Sequence, residues 1–252
     1  MLNKKELLDK VQKYIDENID NEFHNKKLDK VKKLTLNAII KRKNPYLFKA
    51  KGFNNAGDLI KSIIDATVSS GEETIFGNFM EQVAIYTSNI SMNGKKSGIE
   101  GIDLEFDNEG SQYFVSIKSG PNWGNSGQLK KLEDNFNKIR RVKQTSKSGS
   151  SSINLIFIEG CCYGSDNSTK GTHIKLCGQN FWELISGGYS DLYKDIIEPF
   201  GHKSKEKTEQ LQEALDNKTN SLTLEFIKNY CTPDGAIDWG KIVDHVSKSK
   251  KQ

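Results

Sequence analysis

The stretch GIDLEFDNEGSQYFVSIKSG (101–120) alternates apolar and polar residues on both sides of a short turn. Ile102, Leu104 and Phe106 alternate with Asp103, Glu105 and Asp107. After Asn108-Glu109-Gly110-Ser111, Tyr113, Val115 and Ile117 alternate with Phe114, Ser116 and Lys118. A period of two is that of a strand, and two such runs joined by a glycine-containing turn predict a β-hairpin. A two-residue turn at Glu109-Gly110 and a four-residue turn at 108–111 give the same register, with Asp103 opposite Ser116 and Lys118 diagonal to Asp103. Diagonal neighbours lie about 7–8 Å apart, within reach of a lysine. The pattern therefore predicts one apolar face for the core and an aspartate beside a lysine on the other.

An aspartate and a lysine on adjacent strands suit phosphodiester hydrolysis. Carboxylates hold a hard divalent cation such as Mg²⁺, and a lysine can orient or help deprotonate water. A salt bridge on the surface of a hairpin has the same spacing, so spacing alone leaves both readings open.

Outward from the hairpin, apolar residues at helical spacing predict two amphipathic helices over 4–41, closed by Asn44-Pro45 and a loop. AGDLIKSIIDATV (56–68) predicts a helix. Ser69-Ser70-Gly71-Glu72-Glu73 then looks like the start of a second helix over 74–88. GPNWGNSG (120–127) predicts a loop, QLKKLEDNFNKIRRV (128–142) a helix with Leu129, Leu132, Phe136 and Ile139 as its apolar stripe, and INLIFI (153–158) a buried strand. TSKSGSSS (145–152) predicts a low-complexity surface turn. A strand near 173–176, a helix from Gln179, and helices over 206–216 and 222–230 complete the pattern. The order argues for an α/β fold with a mixed sheet flanked by helices and helical additions at both ends.

The 252 residues, 35% hydrophobic and 28% charged, exclude a disordered chain, and no apolar run approaches the roughly 20 residues of a membrane span. The charged start MLNKKELLDK argues against a signal peptide and for a cytoplasmic protein. The four cysteines and four histidines lack metal-ligand spacing, so buried thiols and no histidine ligand are expected. The net charge of +4 conceals segregation: residues 1–50 hold 13 basic and 7 acidic side chains, 51–110 hold 4 and 10, 111–185 hold 10 and 5, and 186–252 hold 10 and 11. An acidic, cation-binding centre between basic walls suits a polyanion, although solvated helix faces give similar counts.

Gly101-Ile102-Asp103 followed by Ser116-Ile117-Lys118-Ser119-Gly120 resembles the active-site hairpin of the PD-(D/E)XK nucleases. NPYLFKAKG (44–52), SSGEETIFGNFME (69–81), IKSGPNWGNSGQ (117–128) and GQNFWELISG (178–187) are similar to type II restriction endonucleases, particularly those that cut GC-rich GGNCC-type sites. The resemblance implies a PD-(D/E)XK restriction-endonuclease-like core over 71–188. The similarity spans about residues 44–188, and the helical spacing at the two ends of the chain adds a helical N-terminal region over 1–70 and a helical C-terminal region over 189–252, the natural places in such an enzyme for dimerisation and a DNA clamp.

The resemblance further implies Mg²⁺ ligation by Asp103 and the main-chain carbonyl of Ile117, and a catalytic role for Lys118. Ser116 departs from the pattern, standing where the second acid belongs; Glu81 is the first candidate to replace it and Glu105 the second. The loop after Lys118 lacks the GK[ST] ending of a nucleotide-binding P-loop. Asn122, Trp123, Asn125 and Gln128 are candidates to meet DNA, with Trp123 alternatively a packing residue. Lys130, Lys131, Arg140 and Arg141 are candidates to neutralise phosphates. Double-stranded DNA as substrate, a homodimer and a partner methyltransferase are the implied partners. A structure-specific repair or recombination nuclease with the same core, and a non-catalytic DNA-binding module, remain as alternatives.

Overall fold

A computed structural model describes residues 2–145, 154–202 and 204–249. Helices α1 (Lys4–Ile19), α2 (Asn25–Lys32), α3 (Leu36–Lys41), α4 (Pro45–Ala50) and α5 (Ala56–Met92) come first, with a π-helical turn at Asp20–His24. Strands β1 (Lys95–Lys96), β2 (Leu104–Asn108) and β3 (Ser111–Lys118), helix α6 (Ser126–Thr145), and strands β4 (Asn154–Cys161), β5 (Ser168–Thr169) and β6 (Ile174–Cys177) follow. Helices α7 (Gln179–Ile185), α8 (Leu192–Asp195), α9 (Ser204–Tyr230) and α10 (Trp239–Ser247) end the chain.

The six strands form one mixed sheet in the order β1-β2-β3-β4-β6-β5. The β2–β3 hairpin is antiparallel with Leu104 opposite Val115 and Asn108 opposite Ser111, the register the alternation predicts. Glu109 and Gly110 both have positive φ, 47° and 74°, as a two-residue turn matching strand twist requires. β3 pairs in parallel with β4, and β4 with β6; α6 makes the first crossover.

The hairpin face that carries Asp103 and Lys118 is covered too, unlike that of a salt bridge on the surface. Phe114, on the face of Asp103 and Lys118, is fully buried and clusters with Phe157 of β4 and with Leu132, Phe136 and Ile139 of α6. On the opposite face a side chain at Gly160 would collide with Phe181 of α7. Parallel pairing puts helices on both faces, so the polar positions of β3 become interior ones. Leu129, expected in the buried stripe of α6, is instead 41% exposed, one turn beyond that cluster.

Three expected breaks are absent or different. Residues 56–92 form one uninterrupted helix, because a glycine in mid-helix costs only about 1 kcal/mol; Thr67 and Thr74 also turn their hydroxyls back onto the carbonyls of Ile63 and Ser70. Helix α9 likewise runs through 217–221, which contains neither glycine nor proline. Pro45, expected in a loop, opens α4: Asn44 caps it by accepting from the Tyr46 and Leu47 N–H groups, and proline is well suited to a first helical position. The 4–41 region is three helices and a π-helical turn, where two helices were expected. Apart from Thr145, which ends α6, the low-complexity stretch lies outside the described residues.

The chain divides into two compact units, residues 1–20 with 76–202, and residues 21–75 with 203–252. The first holds the whole sheet. Helix α1 belongs to it, burying Leu7, Val11, Ile15 and Ile19 four residues apart. The second is helical, with a core that includes Ile39, Ile40, Phe48, Leu59, Ile60, Ile63, Leu222, Phe226 and Ile242. All four cysteines are free and buried. Among the described residues no helix is long and apolar enough to cross a membrane.

Candidate active site

Asp103 stands one residue before β2, where the hairpin ladder opens. Its N–H still donates to the Val115 carbonyl at 2.9 Å, and its own carbonyl accepts from Ser97 N–H at 3.0 Å. One ladder step further along β3, the Ile117 N–H donates to Asp103 Oδ2 at 2.6 Å, and the Ser116 hydroxyl donates to the same oxygen at 3.3 Å. The side chain thus takes the place of a strand carbonyl, which fixes it at the sheet end. Lys118 Nζ lies 3.9 Å from that oxygen, with the two side chains 23% and 24% exposed. The diagonal juxtaposition expected from alternation is present, in a partly covered setting.

Glu81 comes to the same place from α5. Burial, and next the negative charge of Asp103, push its carboxyl above the usual range, while Lys96 and Lys118 pull it down. The Cys162 thiol is in turn pushed up to about 12, by burial and then by the charge of Glu81. Gly77, one helical turn before Glu81, lets α5 approach closely: a Cβ there would lie 3.3 Å from Ser119 Cβ, immediately after Lys118. Glu105 is used otherwise. It is buried, and its Oε1 accepts from the Ser97 hydroxyl at 2.6 Å, which itself accepts from Ile99 N–H.

Among the described residues no three His, Cys, Asp or Glu side chains converge as a ready metal site. Two carboxylates that repel one another, Asp103 and Glu81, nevertheless fit a hard cation that keeps several of its waters.

The loop after Lys118 is bound to the sheet. Trp123 donates its indole N–H to Glu159 Oε1 at 2.8 Å, and Lys118 Nζ lies 4.8 Å from the Trp123 ring centroid. Asn125 and Gln128 close a reciprocal cap at the start of α6, the Gln128 N–H donating to Asn125 Oδ1 and the Asn125 N–H to Gln128 Oε1. Arg140 points inward, donating to Asn137 Oδ1 at 3.0 Å and to the Thr172 carbonyl at 2.8 Å while stacking on Phe157, so its guanidinium serves packing. Asn122, Lys130, Lys131 and Arg141 are exposed, Lys131 being 3.7 Å from Glu100.

Sequence reasoning missed Glu159. It lies on β4 beside Ser116, is 2% exposed, and has His173 Nε2 at 3.1 Å from Oε2. Burial alone would push its carboxyl up, but the hydrogen bonds from His173 and Trp123 and the charge of Lys175 outweigh it and the carboxyl is held below the usual range. The available signal was an acid continuing an apolar strand, INLIFIE; its partners, 36 and 14 residues away, were not legible. Both carboxylate oxygens are engaged, so Glu159 does not stand in for the acid that Ser116 lacks.

No curated protein matches the chain. The family described as type II restriction endonuclease EcoO109I matches residues 9–208, which include every strand of the sheet and all of Glu81, Asp103, Lys118 and Glu159. With well over half of its length in that match, and with the acid and lysine of the hairpin side by side at the end of a mixed sheet, the chain belongs to the type II restriction endonuclease EcoO109I family.

Proposed function

We propose that the protein is a Mg²⁺-dependent, site-specific endonuclease of the PD-(D/E)XK kind that hydrolyses both strands of double-stranded DNA, leaving 5′-phosphates and 3′-hydroxyls. The observation that carries this is the cluster of Asp103, Lys118 and Glu81, in which Lys118 lies 3.9 Å from Asp103 and Glu81 responds to the charge of both. Asp103 and Glu81 are the residues to hold the cation, with the Ile117 main-chain carbonyl as a further oxygen and Glu105 a poorer candidate because of its bond to Ser97. When bound, Mg²⁺ supplies charge stabilisation at the phosphate and a water of lowered pKa. Lys118 orients the attacking water and offsets charge developing on the phosphate oxygens.

Asn122, Lys130, Lys131 and Arg141 are proposed to contact the DNA backbone, with the amide NH₂ groups of Asn125 and Gln128 as additional donors. A homodimer fits two-fold symmetric cutting of a palindrome. The helical regions 1–70 and 189–252 are proposed for pairing and DNA clamping, and a methyltransferase is the functional partner that protects host sites. The resemblance to enzymes of GGNCC-type sites makes such a site the first to test.

Digestion of plasmid and phage DNA with Mg²⁺, followed by end sequencing, is expected to give discrete ends at one short palindromic sequence. Asp103→Ala and Lys118→Ala are each expected to lower the rate by about 10³-fold or more, on the scale of losing a principal charge-stabilising group. Cutting governed by DNA shape would favour a repair-type nuclease. Binding with no cleavage would favour a non-catalytic module, and full activity in both variants would overturn the site.

A further inference from the structure

Lys118 is held from two sides. The Asp103 carboxylate is 3.9 Å from its Nζ, and the Trp123 ring centroid is 4.8 Å away. An ammonium over an indole face is attracted by the ring quadrupole, most strongly where water is reduced, and this lysine side chain is 23% exposed.

The indole is itself fixed. Its N–H donates to Glu159 Oε1 at 2.8 Å, and Glu159 is 2% exposed. A carboxylate only accepts, so His173 Nε2 carries the proton donated to Glu159 Oε2 at 3.1 Å; the Thr172 hydroxyl lies 2.8 Å from Nδ1 on the other side of the ring. Lys175 Nζ, 3.8 Å from Glu159 Oε1, donates to the Pro121 carbonyl at 3.0 Å and to Asp166 Oδ2 at 2.9 Å. The loop carrying Trp123 is therefore strapped to β4 by Glu159 and to β6 by Lys175. A solvated salt bridge needs none of this buried support.

We infer that Trp123 is a positioning residue for Lys118: Glu159, braced by His173 and Lys175, holds the indole so that its face and the Asp103 carboxylate together confine the ammonium next to the hydrolytic centre. This rests on the reading of Lys118 as a catalytic residue. It differs from a DNA-contact role for Trp123, because the indole N–H is spent inside the protein and the ring face on a lysine.

The test uses the full chain and a plasmid cut by the wild type. Under single-turnover conditions in Mg²⁺, Trp123→Leu is expected to slow cleavage about 10- to 100-fold while DNA affinity, read by anisotropy with Ca²⁺ replacing Mg²⁺, stays within about twofold. Trp123→Phe keeps an aromatic face but lacks the N–H that Glu159 holds, so it should recover only part of the lost rate. In protein carrying ¹³C-lysine, the ε-methylene resonance that disappears in Lys118→Ala is expected upfield of the other lysines, under the indole ring current, and should return among them in Trp123→Leu.

An unshifted Lys118 resonance in the wild type overturns the inference. So does a Trp123→Leu variant at wild-type rate, or one whose DNA affinity falls in step with its rate. If Trp123→Leu fails to fold, the wild-type resonance and Trp123→Phe decide. Lys118→Ala separates the two layers: equal cleavage in that variant sinks the catalytic reading of Lys118, whereas an inactive Lys118→Ala beside a fully active Trp123→Leu sinks only the role of Trp123.

Discussion

Two glutamates near Lys118 have carboxyls displaced from the usual range in opposite directions, for different reasons. Burial and Asp103 hold the Glu81 carboxyl high, so its contribution to stability is present below its unfolded pKa and lost as pH rises through the folded one. At about pH 8 Glu81→Gln should therefore melt at a higher temperature than the wild type, with the gap closing near pH 4, and Mg²⁺ should raise the melting temperature of the wild type more than that of the variant. Glu159 is the reverse case. Its depressed pKa gives stability that is complete above its unfolded pKa and lost as pH falls through the folded value. The advantage of the wild type over Glu159→Gln in thermal melting should accordingly be greatest near neutrality and shrink below about pH 4. Glu159 also gives a physical reason for Ser116: at 1% exposure and alongside a buried carboxylate, a second acid would add like charge where no solvent screens it. Ser116→Glu is expected to lower stability by several kcal/mol, roughly the cost of an uncompensated buried charge, measured by urea unfolding.

Helix α5 and the hairpin decide where those residues meet. Gly71 and Gly77 are both in the helix, but what faces them differs. A methyl at Gly71 would meet the flexible end of Lys30, which can move, whereas one at Gly77 would press on Ser119. Gly71→Ala should raise stability by about 0.5–1 kcal/mol through helix propensity. Gly77→Leu should lower both stability and cleavage, since it pushes Glu81 away from Lys118. Melting curves together with cleavage rates would separate the two. In the hairpin, Glu109 at φ 47° is an uncomfortable residue for a left-handed position, so Glu109→Asn is expected to stabilise modestly without altering activity. Periodicity gave the helical character of α5 and α9 but not their continuity. A serine-glycine-acid run resembles a helix start, and only the packing of the surrounding faces makes it worthwhile to carry the helix through it.

On the scale of the molecule, the acidic segment 51–110 contains Glu81, Asp103 and Glu105, while the basic excess lies in 1–50 and 111–185. Unless a cation offsets it, the carboxylate cluster should repel DNA. Affinity for a cognate duplex is therefore expected to rise by about tenfold or more on adding Ca²⁺ to EDTA-treated protein, and to fall steeply with added salt. Filter binding that is indifferent to the divalent ion would contradict this. The two units cut across the sequence, with 21–75 grouped with 203–252, whereas a reading along the chain divides it at 70 and 188. Contacts between residues far apart in sequence leave no local pattern to read.

The hairpin, its register, the Asp103–Lys118 juxtaposition and the α/β order of the elements are legible along the chain, because side-chain alternation and turn chemistry are local properties. The cover on both faces of β3, the inward turn of Arg140 and the joining of Trp123, Glu159 and His173 behind Lys118 arise only in the folded chain. Those outcomes depend on which strand lies beside β3. A parallel crossover brings Glu159 next to Ser116 from 43 residues away, and it does so through sheet pairing that no window of sequence contains.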